Sequence, residues 1–220
     1  MNRLELKNKA KELIQGNKWY IWKPLIIFAI VSMVLTLGAY LLDSVLGLAT
    51  QETVVIGHLA FVSRSGIISD IVGGIVGIVS CVFGIAYSNY ILKFVRGTRM
   101  EMQDIFDWIK EHYVVAILVS LLAGLIIIAG TILLVIPGII AAIGLMFYQE
   151  VCADNPELKA TEIIKKSWNM TKGHKIDLFV LILSFFGWCI LALFTLGILY
   201  IWLAPYMGVT IALAYEELKN

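Results

Sequence analysis

Four long stretches of this sequence, residues 25–42, 71–92, 114–149 and 178–215, contain no Asp, Glu, His, Lys or Arg. Ion-coupled carriers, proton relays and intramembrane hydrolases place such groups inside the bilayer, so these chemistries lose their usual residues. The remaining ionisable groups near the apolar stretches sit at their ends: Asp43 and Asp70 at outer ends, Glu150 and Asp177 at inner ends. Histidine is scarce. His58, His112 and His174 show no i, i+4 pairing of the kind that holds zinc on a helix. The three cysteines, Cys81, Cys152 and Cys189, lie in or beside apolar runs and suggest no disulfide. Net charge is only +1, which gives no electrostatic basis for binding nucleic acid. No Walker, Rossmann or serine-nucleophile motif is present. No catalytic, cofactor-binding or metal-ligating residue is assigned, and no cofactor is expected.

Apolar residues are abundant instead. The 220-residue chain is 60% hydrophobic, above the roughly half of ordinary soluble domains. A helix rises 1.5 Å per residue and the hydrocarbon core is about 30 Å thick, so one crossing needs about 20 residues. Residues 24–48 and 67–92 supply two crossings. The first is too long for a signal-peptide core and reads as a retained helix. Residues 113–152 would make one helix of about 60 Å, twice the core, so they fold back, with Pro137-Gly138 as the breaker. Residues 178–215 do the same about Gly197. The expected spans are 24–48, 67–92, 113–136, 138–152, 178–195 and 198–215, in a single integral membrane domain over 1–220. The arm 138–152 is short and is expected to tilt little or to cross only part of the depth.

Charge tests this threading independently. With six crossings, sixteen of the seventeen Lys and Arg fall on one side and only Arg64 on the other. By the positive-inside rule the crowded side is cytoplasmic, so both termini are expected there, in the cytoplasmic membrane. A single crossing over residues 113–152 would move five lysines outside.

Three cytoplasmic segments look alike. Each is a short amphipathic stretch leading into a pair of spans. Leu6, Ala10, Leu13 and Ile14 share one face before a capping Gly16; Met102, Ile105, Phe106 and Ile109 share another. In the third, Asn155-Pro156 is the expected N-terminal cap, Ala160, Ile163, Ile164 and Trp168 share a face, and Gly173 is the C-cap. The expected architecture is therefore all-α: a polytopic helical bundle of six transmembrane helices, built as three repeats of an interfacial amphipathic helix plus a transmembrane hairpin. The mixed charge of these amphipathic stretches argues against a dedicated anionic-lipid sensor. Trp19, Trp22, Trp108, Trp168 and Tyr113 fit an aromatic belt at the cytoplasmic boundary.

Helices gain nothing from hydrophobicity on leaving lipid for one another, so close packing must join them. Small residues at Gly73, Gly77, Cys81 and Gly84 make one packing ladder, and Ser120 with Gly124 another. Such ladders serve internal packing or a homodimer. Pro205 removes a backbone hydrogen bond inside the sixth span and is expected to kink it. The outer segment 49–66, with Glu52, His58 and Arg64, is read as a loop.

The runs IPGII (136–140), CADNPEL (152–158), KKSWNMTKGHKIDLF (165–179) and AYEEL (214–218) resemble a bacterial integral-membrane family catalogued as domain of unknown function 975. A looser likeness reaches the membrane domain of glycerophosphodiester phosphodiesterases, through the Pro-Gly hairpin and the spacing of Ser167 and Gly173. The resemblance implies a six-helix membrane fold and no catalytic residues; the phosphodiesterase's catalytic domain has no counterpart here. Three functions remain open: a non-enzymatic scaffold, lipid-interacting module or accessory subunit; a passive transporter or channel for a neutral or amphipathic molecule; and an enzyme acting on lipid head groups at one face. Membrane lipids are the expected partners, with a protein partner or a second copy beside them.

Overall fold

A computed structural model describes residues 3–56, 59–195 and 198–219, with the side chains of all of these except 51–65 and 198. The helices are α1 (Arg3–Gly16), α2 (Lys18–Val45), α3 (Ile67–Val95), α4 (Met102–Leu133), α5 (Val135–Gly144), α6 (Tyr148–Asp154), α7 (Ala160–Met170), α8 (Lys175–Phe194) and α9 (Ile198–Lys219). Strands β1 (Ala49–Ile56) and β2 (Leu59–Gly66) lie between α2 and α3. Among the described residues, five segments are long and apolar enough to cross a membrane: α2, α3, α4, the stretch Val135–Asp154 that holds α5 and α6, and α8. α9 has 22 residues and carries Pro205, Tyr206, Thr210 and Tyr215. Large apolar side chains stand exposed along these helices, among them Leu125, Ile132, Leu193 and Phe194. Water-facing surfaces rarely carry apolar patches on this scale, and lipid would cover them.

The chain forms two compact units, Lys23–Ser80 and the rest. In the first, the segment expected to be a loop is an antiparallel hairpin, with Ala49 opposite Gly66 and Ile56 opposite Leu59. Its β-branched run Thr53, Val54, Val55, Ile56 favours strand, a signal outweighed at the sequence level by the flanking helices. Asp43, 1% exposed, accepts hydrogen bonds from the backbone N–H groups of Ile68 (3.1 Å) and Ser69 (2.7 Å). It thereby satisfies two donors left open at the start of α3. A side chain at Gly66 would collide with it, the added Cβ falling 2.2 Å from Asp43 Cγ.

The second unit corrects several local expectations. The hairpin of α4 and α5 breaks at Leu134, which is extended (φ −166°, ψ 148°), not at Pro137-Gly138. Pro137 is the third residue of α5, where a missing N–H breaks no helical bond. Gly138 instead lets the two arms touch: a Cβ there would sit 2.8 Å from Thr131 Cα, and one on Gly130 would sit 3.2 Å from Gly138 Cα. The second arm is interrupted, since α5 ends at Gly144 and α6 begins at Tyr148. The amphipathic residues 102–109 are the first turns of the 32-residue α4 and not a separate helix. α7 starts at Ala160, where the Glu162 carboxylate accepts the Lys159 N–H at 3.0 Å; Asn155 ends α6 instead, its amide donating to the Val151 carbonyl. Ile163 and Ile164 are buried as their spacing implies, and Gly173 takes φ +83° in the turn after α7.

α1 packs against α9, with Leu6, Ala10 and Ile14 buried. Asn17, rather than Gly16, makes the joint to α2: its side-chain amide donates to the Leu13 carbonyl and its own carbonyl accepts the Ile21 N–H. Tyrosines clamp this joint to α3. Tyr20 stacks on Tyr90 at 4.6 Å, and the Tyr87 hydroxyl donates to the Ile21 carbonyl at 3.1 Å. The Tyr90 hydroxyl donates to the Tyr20 carbonyl at 2.9 Å. That carbonyl lacks its usual helical donor, because residue 24 is proline.

Candidate functional site

Charge gathers where α3, α6 and α9 end. Arg96 is the first residue after α3, Asp154 the last of α6, and Tyr215, Glu216 and Lys219 belong to the last turns of α9. The Arg96 guanidinium donates to Asp154 Oδ1 at 2.7 Å and twice to Glu216 Oε1, at 3.0 and 2.6 Å. The other oxygen of Asp154 accepts from the Tyr215 hydroxyl at 3.0 Å and from Lys219 Nζ. The paired carboxylates, Asp154 foremost, hold the Arg96 pKa above its ordinary value. Beside this network a groove of about 500 Å³ is lined by Glu5, Lys9, Arg96, Glu216 and Glu217.

A second polar group lies inside the unit. Glu150 on α6 is 6% exposed, and the Ser88 hydroxyl of α3 stands 3.4 Å from both its Oε1 and the Gln149 Oε1. Asn89, next to Ser88, is also buried. The position of Glu150 at the end of an apolar run disguises this burial in the sequence.

A third group holds the break between α5 and α6. The Ser167 hydroxyl on α7 donates to the Gly144 carbonyl at 3.3 Å, and the Thr171 hydroxyl, one turn on at the cap, lies 3.3 Å from that carbonyl and 3.0 Å from the Trp168 carbonyl. The Trp168 ring covers Gly144 so closely that a Cβ there would lie 2.4 Å from it. Lys175 Nζ stands over the same indole, 3.7 Å from the ring centre. Gly144 thus ends a helix whose last carbonyls need donors, and the Ser-Trp-x-x-Thr run supplies one. Residues 122–220 match a family model described as a protein of unknown function, DUF975.

The DUF975 region contains Gly144, the Ser167–Gly173 run, Asp154 and all of α9, so two of the three polar groups lie mainly within it. Their Arg96, Ser88 and Asn89 partners come from outside it. No curated protein and no solved structure matches the chain. The looser likeness to the phosphodiesterase membrane domain rests on sequence spacing alone.

The packing residues read from sequence fall in different surroundings. Gly73 and Gly77 meet no atom within 4 Å inside their own unit, and Cys81 is exposed. A Cβ on Gly84 would sit 3.4 Å from Gln149 Nε2, in ordinary packing between α3 and α6. Ser120 has a buried hydroxyl on α4, while Gly124 one turn on faces open space. Pro205 lies inside α9, which continues on both sides of it. Gly197 and His58 lie outside the described residues, as does the side chain of Arg64.

A cleft joining Glu150, His174 and Asp177, or one joining Asp43, His58 and Asp70, would favour a head-group enzyme; His58 lies outside the described residues. Asp43 is engaged at the start of α3. His174 pairs with Asp177 at 4.0 Å at the start of α8, whereas Glu150 is buried against Ser88. His112 packs edge-on against Trp108 at 5.1 Å. Among the described residues no three His, Cys, Asp or Glu side chains are grouped to hold a metal ion.

Proposed function

We propose that this chain is a six-span, non-enzymatic module of a bacterial cytoplasmic membrane, with both termini cytoplasmic, acting as a scaffold or accessory subunit that engages lipid and a protein partner. One observation carries the reading. The charged groups at the ends of α3, α6 and α9 satisfy one another, so they brace the bundle rather than wait for a substrate. The same cluster supports the threading. If the ends of α3, α6 and α9 share one side, the chain between them makes two return trips, through α4 to α6 and through α8 to α9. The charge bias of sixteen cationic residues against one supports that side as the cytoplasm.

A passive route for a neutral or amphipathic molecule is the second reading. Glu150, buried with Ser88 and Asn89, is the observation that favours it, because polar groups inside a membrane bundle mark pathways. Native mass spectrometry of the protein, gently extracted from its own membrane, separates the two. A retained protein or defined lipid supports the module. A bare protein that passes small solutes across reconstituted vesicles, and loses this with Glu150→Gln, overturns it.

A further inference from the structure

The charges of α1 are sorted by face. Glu5 and Glu12 line a surface hollow with Leu4, Asn8 and Lys9. Leu6, Ala10 and Ile14 are buried. Lys7 and Lys11, one turn apart, lie on a third side. Lys7 Nζ stands 4.2 Å above the Phe185 ring and 3.4 Å from the Ser184 carbonyl oxygen. Ser184 is the tenth of the twenty residues of α8, so this cation sits halfway along a helix long enough to span. Lys11 and Lys18 line a groove of about 290 Å³ with Ile14, Gln15, Trp202 and Tyr206.

One run of aromatic rings links the Lys7 contact to the groove that Lys11 and Lys18 line. Phe185 meets Tyr206 edge-on at 5.3 Å, Tyr206 meets Trp202 at 5.4 Å, and Trp202 meets Trp188 at 6.5 Å. No Asp or Glu among the described residues pairs with Lys7, Lys11 or Lys18. Burial lowers the Lys7 pKa and the neighbouring Lys11 lowers it further. Cations close together beside Trp202 and the exposed Trp188 call for an anion. A free inorganic anion would leave Trp188 bare. A phospholipid would cover both parts.

We propose that α1, α8 and α9 form a binding site for an anionic phospholipid, with its phosphate held by Lys11 and Lys18 beside Lys7 and its acyl chains along Trp202 and Trp188. The proposal rests on the reading of the chain as a membrane module and names one ligand for it. The mixed charge of α1, which in sequence argues against such a site, is no objection once the acids lie on another face.

The test uses the full chain in detergent, titrated with phosphatidylglycerol, phosphatidylcholine or inorganic phosphate and followed by native mass spectrometry. The unaltered protein is expected to hold phosphatidylglycerol about twenty-five-fold more tightly than phosphatidylcholine, since each of the two lysines that hold the phosphate contributes about fivefold. The triple variant K7Q/K11Q/K18Q should lose that preference, and K9Q on the other face should keep it. Equal retention of the two lipids, or equal loss in K9Q, overturns the proposal, as does saturation by inorganic phosphate without lipid preference. A second measurement needs no lysine variant. Brominated phosphatidylglycerol should quench tryptophan fluorescence more than brominated phosphatidylcholine, and the excess should vanish in W188F/W202F. Excess quenching that persists in W188F/W202F places the lipid elsewhere and rejects the site. A protein that shows no lipid preference but retains a protein partner loses this site and leaves the module reading intact.

Discussion

At the scale of single residues, Arg96 connects more of the fold than its sequence position suggests. It lies just past an apolar run, as one of sixteen cations that mark orientation. In the structure it bridges Asp154 and Glu216 and so ties α3 to α6 and α9. Its side chain is 33% exposed, which weakens each pair, but Asp154 is only 12% exposed and needs donors. Arg96→Gln should lower stability in detergent by about 1–2 kcal/mol, with Arg96→Lys recovering part of it through one bond. An unchanged melting curve for Arg96→Gln would show that the network contributes nothing. In the sequence Arg96 is legible as a cation at the end of an apolar run. Its partners lie 58 and 120 residues away, beyond any local pattern.

At the scale of elements, apolar runs and their lengths disclose where helices lie, and tertiary contact decides how they end and touch. The fold-back between residues 113 and 152 follows from length alone. Its corner falls at Leu134 because proline is accommodated in the first turn of a helix, and a leucine can be extended without any mark in the sequence. Small residues likewise show only that an approach is sterically allowed. Gly138 uses that freedom against Thr131, whereas Gly124 meets nothing within 4 Å. Gly138→Ala should therefore destabilise the α4–α5 hairpin by about 1–3 kcal/mol through overpacking. Gly124→Ala should leave stability unchanged or raise it by up to about 1 kcal/mol, the ordinary helical preference for alanine. Parallel thermal melts compare them, and equal losses would reject the packing assigned to Gly138. The β1–β2 hairpin was hidden for a different reason: a pair of strands between two long apolar helices leaves only a few β-branched residues as its signal.

At the scale of the whole molecule, the threading makes a prediction that composition cannot. In a background with Cys81, Cys152 and Cys189 replaced, Leu134→Cys should react with an impermeant thiol reagent added outside intact cells. Lys219→Cys should react only after lysis. Leu134 is 69% exposed at the α4–α5 corner, so access within the fold does not limit the reaction. Labelling of both from outside, or of neither, would reject the six-span arrangement. The polar groups were the least legible part of the chain. Glu150 comes from α6 and its neighbours Ser88 and Asn89 from α3, and Ser167 and Thr171 lie by a glycine carbonyl more than twenty residues earlier. A linear reading sees each of them as an isolated polar residue.

The bond from the Tyr90 hydroxyl to the Tyr20 carbonyl has a consequence for descent. The hydroxyl stands in for the amide hydrogen that Pro24 cannot offer, so the two positions are tied by one missing atom. Lineages that replace the proline regain the donor and are free to drift to phenylalanine at position 90. Lineages that keep the proline are held to tyrosine, and the two sites should change together across an alignment although sixty-six residues separate them.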